Sequence, residues 1–135
     1  MCPSWTTNAG HRLTFICSVT WTGLHDVYTD AHFGFAFPKT TTGHEFIAQI
    51  IAPVTFSWAG FALGDTMSDT PLIMAWPYKN GFVFSQRFTG DLSYPYPMTG
   101  LQITTLPAYS KQNATHWTWT FHCRNCTCMC SPASR

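Results

Sequence analysis

The segment HWTWTFHC at residues 116–123 alternates between apolar and polar side chains. Successive side chains of a β-strand point to opposite faces of its sheet. The apolar face would carry Trp117, Trp119, Phe121 and Cys123. The other face would carry His116, Thr118, Thr120 and His122. The pattern predicts a strand with one face in a core, and no stretch of the chain sustains a helical period.

Further strand-like segments follow one another along the chain, separated by glycine and proline. They are residues 31–37, 45–52, 56–63, 72–76, 82–88 and 101–106. The Asn80-Gly81 pair predicts a hairpin. Residues 56–63 carry apolar groups on both faces, so we predict a central, buried strand there, and we assign Trp58 and Trp76 to core packing. About seven or eight strands at this spacing predict an all-β fold, an antiparallel two-sheet sandwich of immunoglobulin-like type.

Composition excludes two classes of partner. The formal net charge is +1 and charged residues make up 10% of the chain, so we predict no nucleic-acid binding. No apolar run approaches the ~20 residues of a membrane span.

The start of the chain lacks a convincing signal peptide. The sequons at Asn113 and Asn125, together with six cysteines, nevertheless favour an extracellular protein.

Catalytic patterns are sparse. The chain has no Gly-x-Ser-x-Gly motif and no glycine-rich phosphate loop. Glu45 is the only glutamate, and we interpret Asp65 and Asp69 as solvated turn residues rather than a pair of glycosidase carboxylates.

The segment HCRNCTCMC at residues 122–130 offers five thiolate or imidazole ligands. Such ligands bind zinc, which leaves a small zinc or thiol protein as one alternative. The other is a disulfide between Cys123 and Cys126 with further thiols beyond it. The secreted character of the chain favours the disulfide.

Met67 lies in a short polar segment between two apolar strands. A loop methionine usually serves packing. A thioether is also a neutral ligand suited to haem iron, and the small or flexible neighbours Gly64 and Ser68 would let a porphyrin approach. Met67 is therefore a candidate haem ligand.

Several blocks of the sequence resemble, in continuous order, the cytochrome domain of fungal cellobiose dehydrogenases and of related DOMON-like cytochromes. They are HDVYTDAHFGFAFP, EFIAQIIAPVTFSWAGFALGDTM, PLIMAWPYKNG, RFTGDL and MTGLQITTLPAYSKQNATHWTWTFHCRNC. We assign residues 25–127 to a partial domain of this kind, residues 1–24 to an atypical segment and residues 128–135 to a divergent tail. The resemblance implies a two-sheet sandwich that holds haem b between an axial methionine and an axial histidine.

The resemblance also implies site residues. Met67 stands at the position of the axial methionine, and Cys123 and Cys126 match the Cys-x-x-Cys of the family. The axial histidine of the family lies beyond that motif, so we expect the sandwich to be incomplete at its C-terminus. We keep His116 as a substitute ligand, and His32 as a weaker candidate.

Other residues receive lesser roles. Tyr94 and Tyr96 are candidates for contact with a haem propionate. The remaining histidines assigned to solvated turns are His11, His25 and His44.

The implied function is a haem-b electron-transfer module. It would relay single electrons from a flavin dehydrogenase to an extracellular acceptor, such as a copper-dependent polysaccharide monooxygenase, and truncation could leave it inactive. The alternative is a haem-free β-sandwich that binds carbohydrate or protein through exposed tryptophan and tyrosine.

Overall fold

A computed structural model of the chain describes residues 4–6, 12–14, 21–37, 44–64, 68–91 and 93–126. These residues form twelve strands and a short 3₁₀ helix at Pro107–Tyr109. The strands are β1 (Ser4–Thr6), β2 (Arg12–Thr14), β3 (Trp21–Asp26), β4 (Ala31–Ala36), β5 (Phe46–Pro53), β6 (Ala59–Ala62), β7 (Thr70–Tyr78), β8 (Gly81–Thr89), β9 (Tyr96–Pro97), β10 (Gln102–Thr105), β11 (Lys111–Gln112) and β12 (His116–Arg124). Within these residues no helix has the length and hydropathy of a membrane span.

The strands form two main sheets, and every pairing in them is antiparallel. The larger sheet has the order β10-β12-β5-β4-β3, with β11 also paired to β12. The smaller sheet has the order β6-β7-β8-β9, and β1 and β2 pair with each other separately. The prediction of an antiparallel two-sheet sandwich is confirmed.

β12 is the central strand of the core, as its alternation predicts. The four side chains of its apolar face are completely buried: Trp117, Trp119, Phe121 and Cys123. β12 pairs with β5, where Trp119 lies opposite Ile50. Burying a large aromatic side chain removes 150–250 Å² of surface from water, at roughly 25 cal/mol per Å². This strand therefore supplies a large part of the apolar burial that holds the domain together.

Aromatic rings join the two sheets across the core. The ring of Phe61 on β6 contacts that of Phe35 on β4 at 5.0 Å in a T-shaped arrangement. The ring of Phe84 on β8 stacks on that of Trp119 at 5.5 Å. These pairs have the geometry that aromatic rings prefer. They therefore fix how one sheet is placed on the other, in addition to burying apolar area.

The prediction of a central, buried strand at residues 56–63 is wrong. β6 covers Ala59–Ala62 alone and forms an edge of the smaller sheet, paired with β7. Phe61 packs against the core, whereas Trp58 is 57% exposed and Trp76 is half-buried on the outer side of the sheet. Neither tryptophan packs in the core. The apolar groups on the second face of this segment line a groove instead.

The outer face of the larger sheet contains a buried histidine that is hydrogen-bonded to a glutamate. His122 is 1% exposed, and its Nε2 lies 2.7 Å from Oε2 of Glu45. Its Nδ1 is buried and has no hydrogen-bond partner in the described part of the chain. Burial lowers the pKa of His122 below its usual value, and the hydrogen bond to Glu45 opposes this only in part. The neutral imidazole is therefore favoured in the folded state.

This depressed pKa predicts a pH-dependent stability. As pH falls, the unfolded chain protonates His122 near pH ~6.5, whereas the folded chain protonates it only at a lower pH. The free energy of unfolding therefore decreases as pH falls through that value. We expect His122→Gln to flatten the fall in stability between about pH 7 and pH 5. Urea denaturation at a series of pH values measures this. Parallel pH profiles for the two proteins would contradict the assignment.

Candidate functional site

An apolar groove lies on the outer face of the smaller sheet. Its volume is about 580 Å³, within the roughly 300–1,000 Å³ typical of small-molecule and cofactor sites. The lining residues are Trp58, Gly60, Phe61, Ala62, Leu72, Met74, Trp76, Arg87, Tyr94 and Pro95.

The groove follows from the pleat of β7. Ile73 and Ala75 point inward and are completely buried, so the alternate residues of this strand point outward. On the neighbouring β6, Gly60 lies opposite Met74, and Ala62 lies opposite Leu72. Two small residues beside two long ones leave a trough along the sheet.

Gly60 is required for the close approach of β6 to β7. A Cβ atom added to Gly60 would lie 2.5 Å from the backbone oxygen of Ile73 and 3.0 Å from Cγ of Met74. Contacts this short force the strands apart. Glycine therefore fixes both the strand spacing and the depth of the groove at this point.

Among the described residues that line the groove, Arg87 is the one that carries a charge. Its Nε donates to Oγ of Ser85 at 3.2 Å, and its Nη1 donates to the backbone oxygen of Pro95 at 3.2 Å. These bonds orient the guanidinium while using two of its five N–H groups. The groove is thus an apolar trough with a positioned cationic group, an arrangement suited to an apolar ligand that carries an anionic group.

Met67 falls within residues 65–67, which lie outside the described residues, as does Asp65. The strands on either side of this stretch both end at the groove. Ala62 and Leu72, five positions before and after Met67, line it. The backbone N–H of Leu63 donates to the oxygen of Pro71 at 2.9 Å, which joins the two strands at the base of this connection.

His116 and His32 do not line the groove. His116 lies on the outward side of β12, with its Nδ1 3.1 Å from Oγ1 of Thr115 and its Nε2 3.2 Å from Oδ2 of Asp30. His32 is exposed on β4 beside the same aspartate. A haem ligated by His116 would need to lie outside this groove. His25, which we expected in a solvated turn, is in β3 and also contacts Asp30.

The two tyrosines have different surroundings. Tyr94 lines the groove and is 88% exposed. Tyr96 is in β9, and its ring contacts that of Phe88 at 5.8 Å. Tyr94 is therefore the tyrosine available at the mouth of the groove.

Cys123 and Cys126 form a disulfide, with their Cα atoms 5.9 Å apart. A zinc site over residues 122–130 would lose both as thiolate ligands, and His122 is already bonded to Glu45. Cys128 and Cys130 lie outside the described residues. The zinc alternative therefore has little support from the geometry.

The two sequon asparagines are both exposed. Oδ1 of Asn113 accepts hydrogen bonds from the backbone N–H groups of Thr115 and His116 at 2.9 and 2.8 Å. Nδ2 of Asn125 donates to the backbone oxygen of Gly100 at 3.2 Å. Asn113 orders the turn before β12, and Asn125 links the end of β12 to the connection before β10.

Among the described residues that line the groove, sequence reasoning had singled out only Tyr94 for the site; those it missed include Gly60, Met74 and Arg87. The apolar character of both faces of residues 56–63 and 72–76 was the available signal, but we attributed it to a core on each side. Met74 places a thioether in the cavity.

A sequence profile described as the cytochrome domain of cellobiose dehydrogenase matches residues 11–134. A pyrroloquinoline quinone-dependent pyranose dehydrogenase of Coprinopsis cinerea is 30% identical over 115 residues, which are 83% of this chain and 16% of that protein.

Two solved structures have the same fold. The cytochrome b domain of pyranose dehydrogenase from Coprinopsis cinerea superposes with a TM-score of 0.72 at 25% identity. The cytochrome domain of Myriococcum thermophilum cellobiose dehydrogenase gives a TM-score of 0.67 at 29% identity. Each match covers 93% of this chain and 62% of the solved one, so the chain spans less than two thirds of either. Because the profile matches nearly the whole chain, the protein belongs to the family of cellobiose dehydrogenase cytochrome domains.

Proposed function

We propose that this chain is a haem-b electron-transfer module and that the groove on the smaller sheet is its haem site. The observation that carries the proposal is an apolar trough of about 580 Å³ on a cytochrome-domain fold. When bound, haem supplies reversible one-electron chemistry, and the protein supplies binding, orientation and burial.

The lining residues fit such a group. The outward side chains of Leu72, Met74 and Trp76 offer an apolar wall for the porphyrin face. Arg87 has N–H groups left to pair with a propionate, and Tyr94 has a hydroxyl at the same side of the groove. An apolar surface beside a cationic group matches the two parts of haem, a flat hydrocarbon macrocycle and its carboxylates.

Met67 is the axial ligand that the proposal assigns. Support comes from chain connectivity, because five residues separate Met67 from Ala62 and from Leu72, both of which line the groove. At about 3.3 Å per residue, a segment of this length reaches across the trough from either strand. A thioether at the iron favours the reduced state and raises the reduction potential.

The proposed electron donor is a flavin dehydrogenase, and the proposed acceptor is an extracellular protein such as a copper-dependent polysaccharide monooxygenase. The family match supports a dehydrogenase as the donor, because the related domains belong to cellobiose dehydrogenase and to a pyrroloquinoline quinone-dependent pyranose dehydrogenase. The flavin of the donor is an expectation from the resemblance of the sequence. Extracellular location agrees with the Cys123–Cys126 disulfide, which requires an oxidising compartment.

A second candidate function is a haem-free module that binds carbohydrate. Three exposed aromatic side chains near the groove favour it: Trp58, Tyr94 and Tyr96. Aromatic faces at a surface stack on sugar rings, and a trough beside them could hold an extended glycan.

Haem reconstitution with a blocked groove separates the two functions. Ala62 lines the trough, so Ala62→Trp fills it, and we expect this variant to lose at least ~90% of haem uptake. Thr104→Trp is the matched control, because Thr104 is exposed on β10 of the larger sheet and does not line the groove. Soret absorbance after desalting measures uptake. Equal uptake by the two variants would overturn the groove as the haem site, and cellulose binding without haem uptake would favour the second function.

A further inference from the structure

Three histidines converge on one aspartate at the tip of the β3–β4 hairpin. Oδ1 of Asp30 lies 3.0 Å from Nε2 of His25 and 3.6 Å from Nε2 of His32. Oδ2 of the same carboxylate lies 3.2 Å from Nε2 of His116 on β12. This cluster is on the larger sheet, away from the residues that line the apolar groove.

The sheet register brings the first two histidines together. His25 and His32 are directly opposite each other in the β3–β4 pairing. Their rings are stacked, with centroids 4.0 Å apart and planes inclined by 8°. Opposite residues of an antiparallel pair project on the same side of the sheet, so both imidazoles point toward one place.

The hairpin loop fixes Asp30 beside the Nε2 atoms of these stacked rings. The backbone N–H of Asp30 donates to the oxygen of Asp26 at 2.8 Å, and the carboxylate of Asp26 accepts from the N–H of Tyr28 and the hydroxyl of Thr29. Asp30 itself has a φ of 57°, in the left-handed region that aspartate and asparagine tolerate better than most residues. The loop thus presents the carboxylate in a set position.

We propose that His25, Asp30 and His32 form a binding site for a borderline divalent cation, of which Zn²⁺ is the representative. One ligand atom from each residue lies within 4.8 Å of the other two. Atoms this close can share one ion after small side-chain rotations, because Zn–N and Zn–O bonds are about 2.0–2.2 Å long. The ion would replace the proton that lies between His25 and Asp30, and that proton would leave to solvent.

The ligand set indicates the class of cation. Two imidazoles and one carboxylate suit zinc or copper, whereas calcium and magnesium take oxygen ligands. The three side chains are exposed, so water molecules would complete the coordination. Three protein ligands with open positions make a site of moderate affinity rather than a closed structural one.

His116 is a positioning residue for this site. Its Nε2 contacts the second oxygen of Asp30, which leaves Oδ1 directed toward His25 and His32. Such contacts orient a ligating carboxylate, and their loss weakens metal binding by about 10–100-fold in known sites. Because His116 belongs to β12 and the ligands to the β3–β4 hairpin, a bound ion would also tie the hairpin tip to the central strand.

Calorimetric titration of the full chain with Zn²⁺ tests the proposal. We expect one equivalent to bind, and we expect His25→Ala and His32→Ala each to weaken binding at least ~10-fold. Asp30→Asn should do the same while keeping the left-handed turn, since asparagine also tolerates a positive φ. His44→Asn is the matched control, because His44 is exposed but outside the cluster, and asparagine tolerates its φ of 46°. The Zn²⁺ affinity of this variant should equal that of the unaltered protein.

Co²⁺ absorption distinguishes this site from binding by cysteine. We expect nitrogen- and oxygen-type ligand-field bands without thiolate charge transfer, and we expect His25→Ala to remove them. Failure of the unaltered chain to bind Zn²⁺ would overturn the proposal. A thiolate band, or binding unchanged in the His25 and His32 variants, would overturn it as well.

Discussion

Met67→Ala is expected to shift the absorption bands of the reduced, haem-loaded chain and to lower its reduction potential. Alanine removes the sulfur that we assign to the iron and offers no other donor atom. Loss of an axial thioether leaves water or an empty position at the iron, which changes both the spin state and the reduction potential. Absorption spectra of the dithionite-reduced protein measure the first effect, and redox titration measures the second.

Met74→Leu is the matched control for this experiment. Met74 places the other thioether beside the groove, and leucine conserves its volume and apolar character. We expect this variant to keep the absorption bands of the unaltered protein. If Met74→Leu shifts these bands and Met67→Ala keeps them, the ligand is Met74 and the assignment of Met67 is wrong, while the groove remains the haem site. Unshifted bands in both variants would rule out thioether ligation by either residue.

The strands that sequence predicts best are those whose two faces differ. β12 follows its alternation from His116 to Arg124, and the four apolar side chains of the predicted face are all buried. The β7–β8 hairpin that Asn80-Gly81 predicts is also present, although its loop is Lys79-Asn80 and Gly81 begins β8, paired to Tyr78. In both cases a local pattern carries enough information, because side-chain period and turn chemistry are properties of neighbouring residues.

Segments with two apolar faces are harder to place. Residues 56–63 and 72–76 have similar patterns, yet β6 is an edge strand and β7 lies inside the smaller sheet. Periodicity reveals that a face is apolar but not what covers it. Here the second face lines a groove, whereas a sequence pattern alone favours a second layer of core.

Both sites are built from residues that are far apart in the chain, so neither site can be predicted from the spacing of residues in the sequence. The groove joins Gly60, Met74, Arg87 and Tyr94, which come from two strands at one edge of the sheet, a third strand and a connection. The histidine cluster depends on the opposition of His25 and His32 across β3 and β4. Strand order and register in the sheet determine which residues come into contact, and local propensity encodes neither of them.

Trp119→Ala should have the largest effect on stability among single changes in the core. The side chain is completely buried, stacks on Phe121 at 4.1 Å and on Phe84 at 5.5 Å, and donates its indole N–H to Oγ1 of Thr105 at 3.0 Å. Truncation leaves a cavity between the sheets and an unpaired hydroxyl beside it. Large-to-alanine changes of this kind cost about 3–5 kcal/mol of unfolding free energy. For a marginally stable domain that is a large share of the total.

Trp58→Ala tests whether burial, rather than residue type, determines the stability cost of truncating a tryptophan. Trp58 is 57% exposed, so its truncation should change the free energy of unfolding by less than about 1 kcal/mol, while it removes one wall of the groove. Urea denaturation of the haem-free proteins measures the first effect, and haem uptake measures the second. We expect Trp119→Ala to lower the denaturation midpoint sharply, and Trp58→Ala to lower haem affinity with little change in the midpoint. Equal midpoints for the two variants would contradict the placement of Trp119 at the centre of the core, because the cost of truncation follows from the packing that is lost.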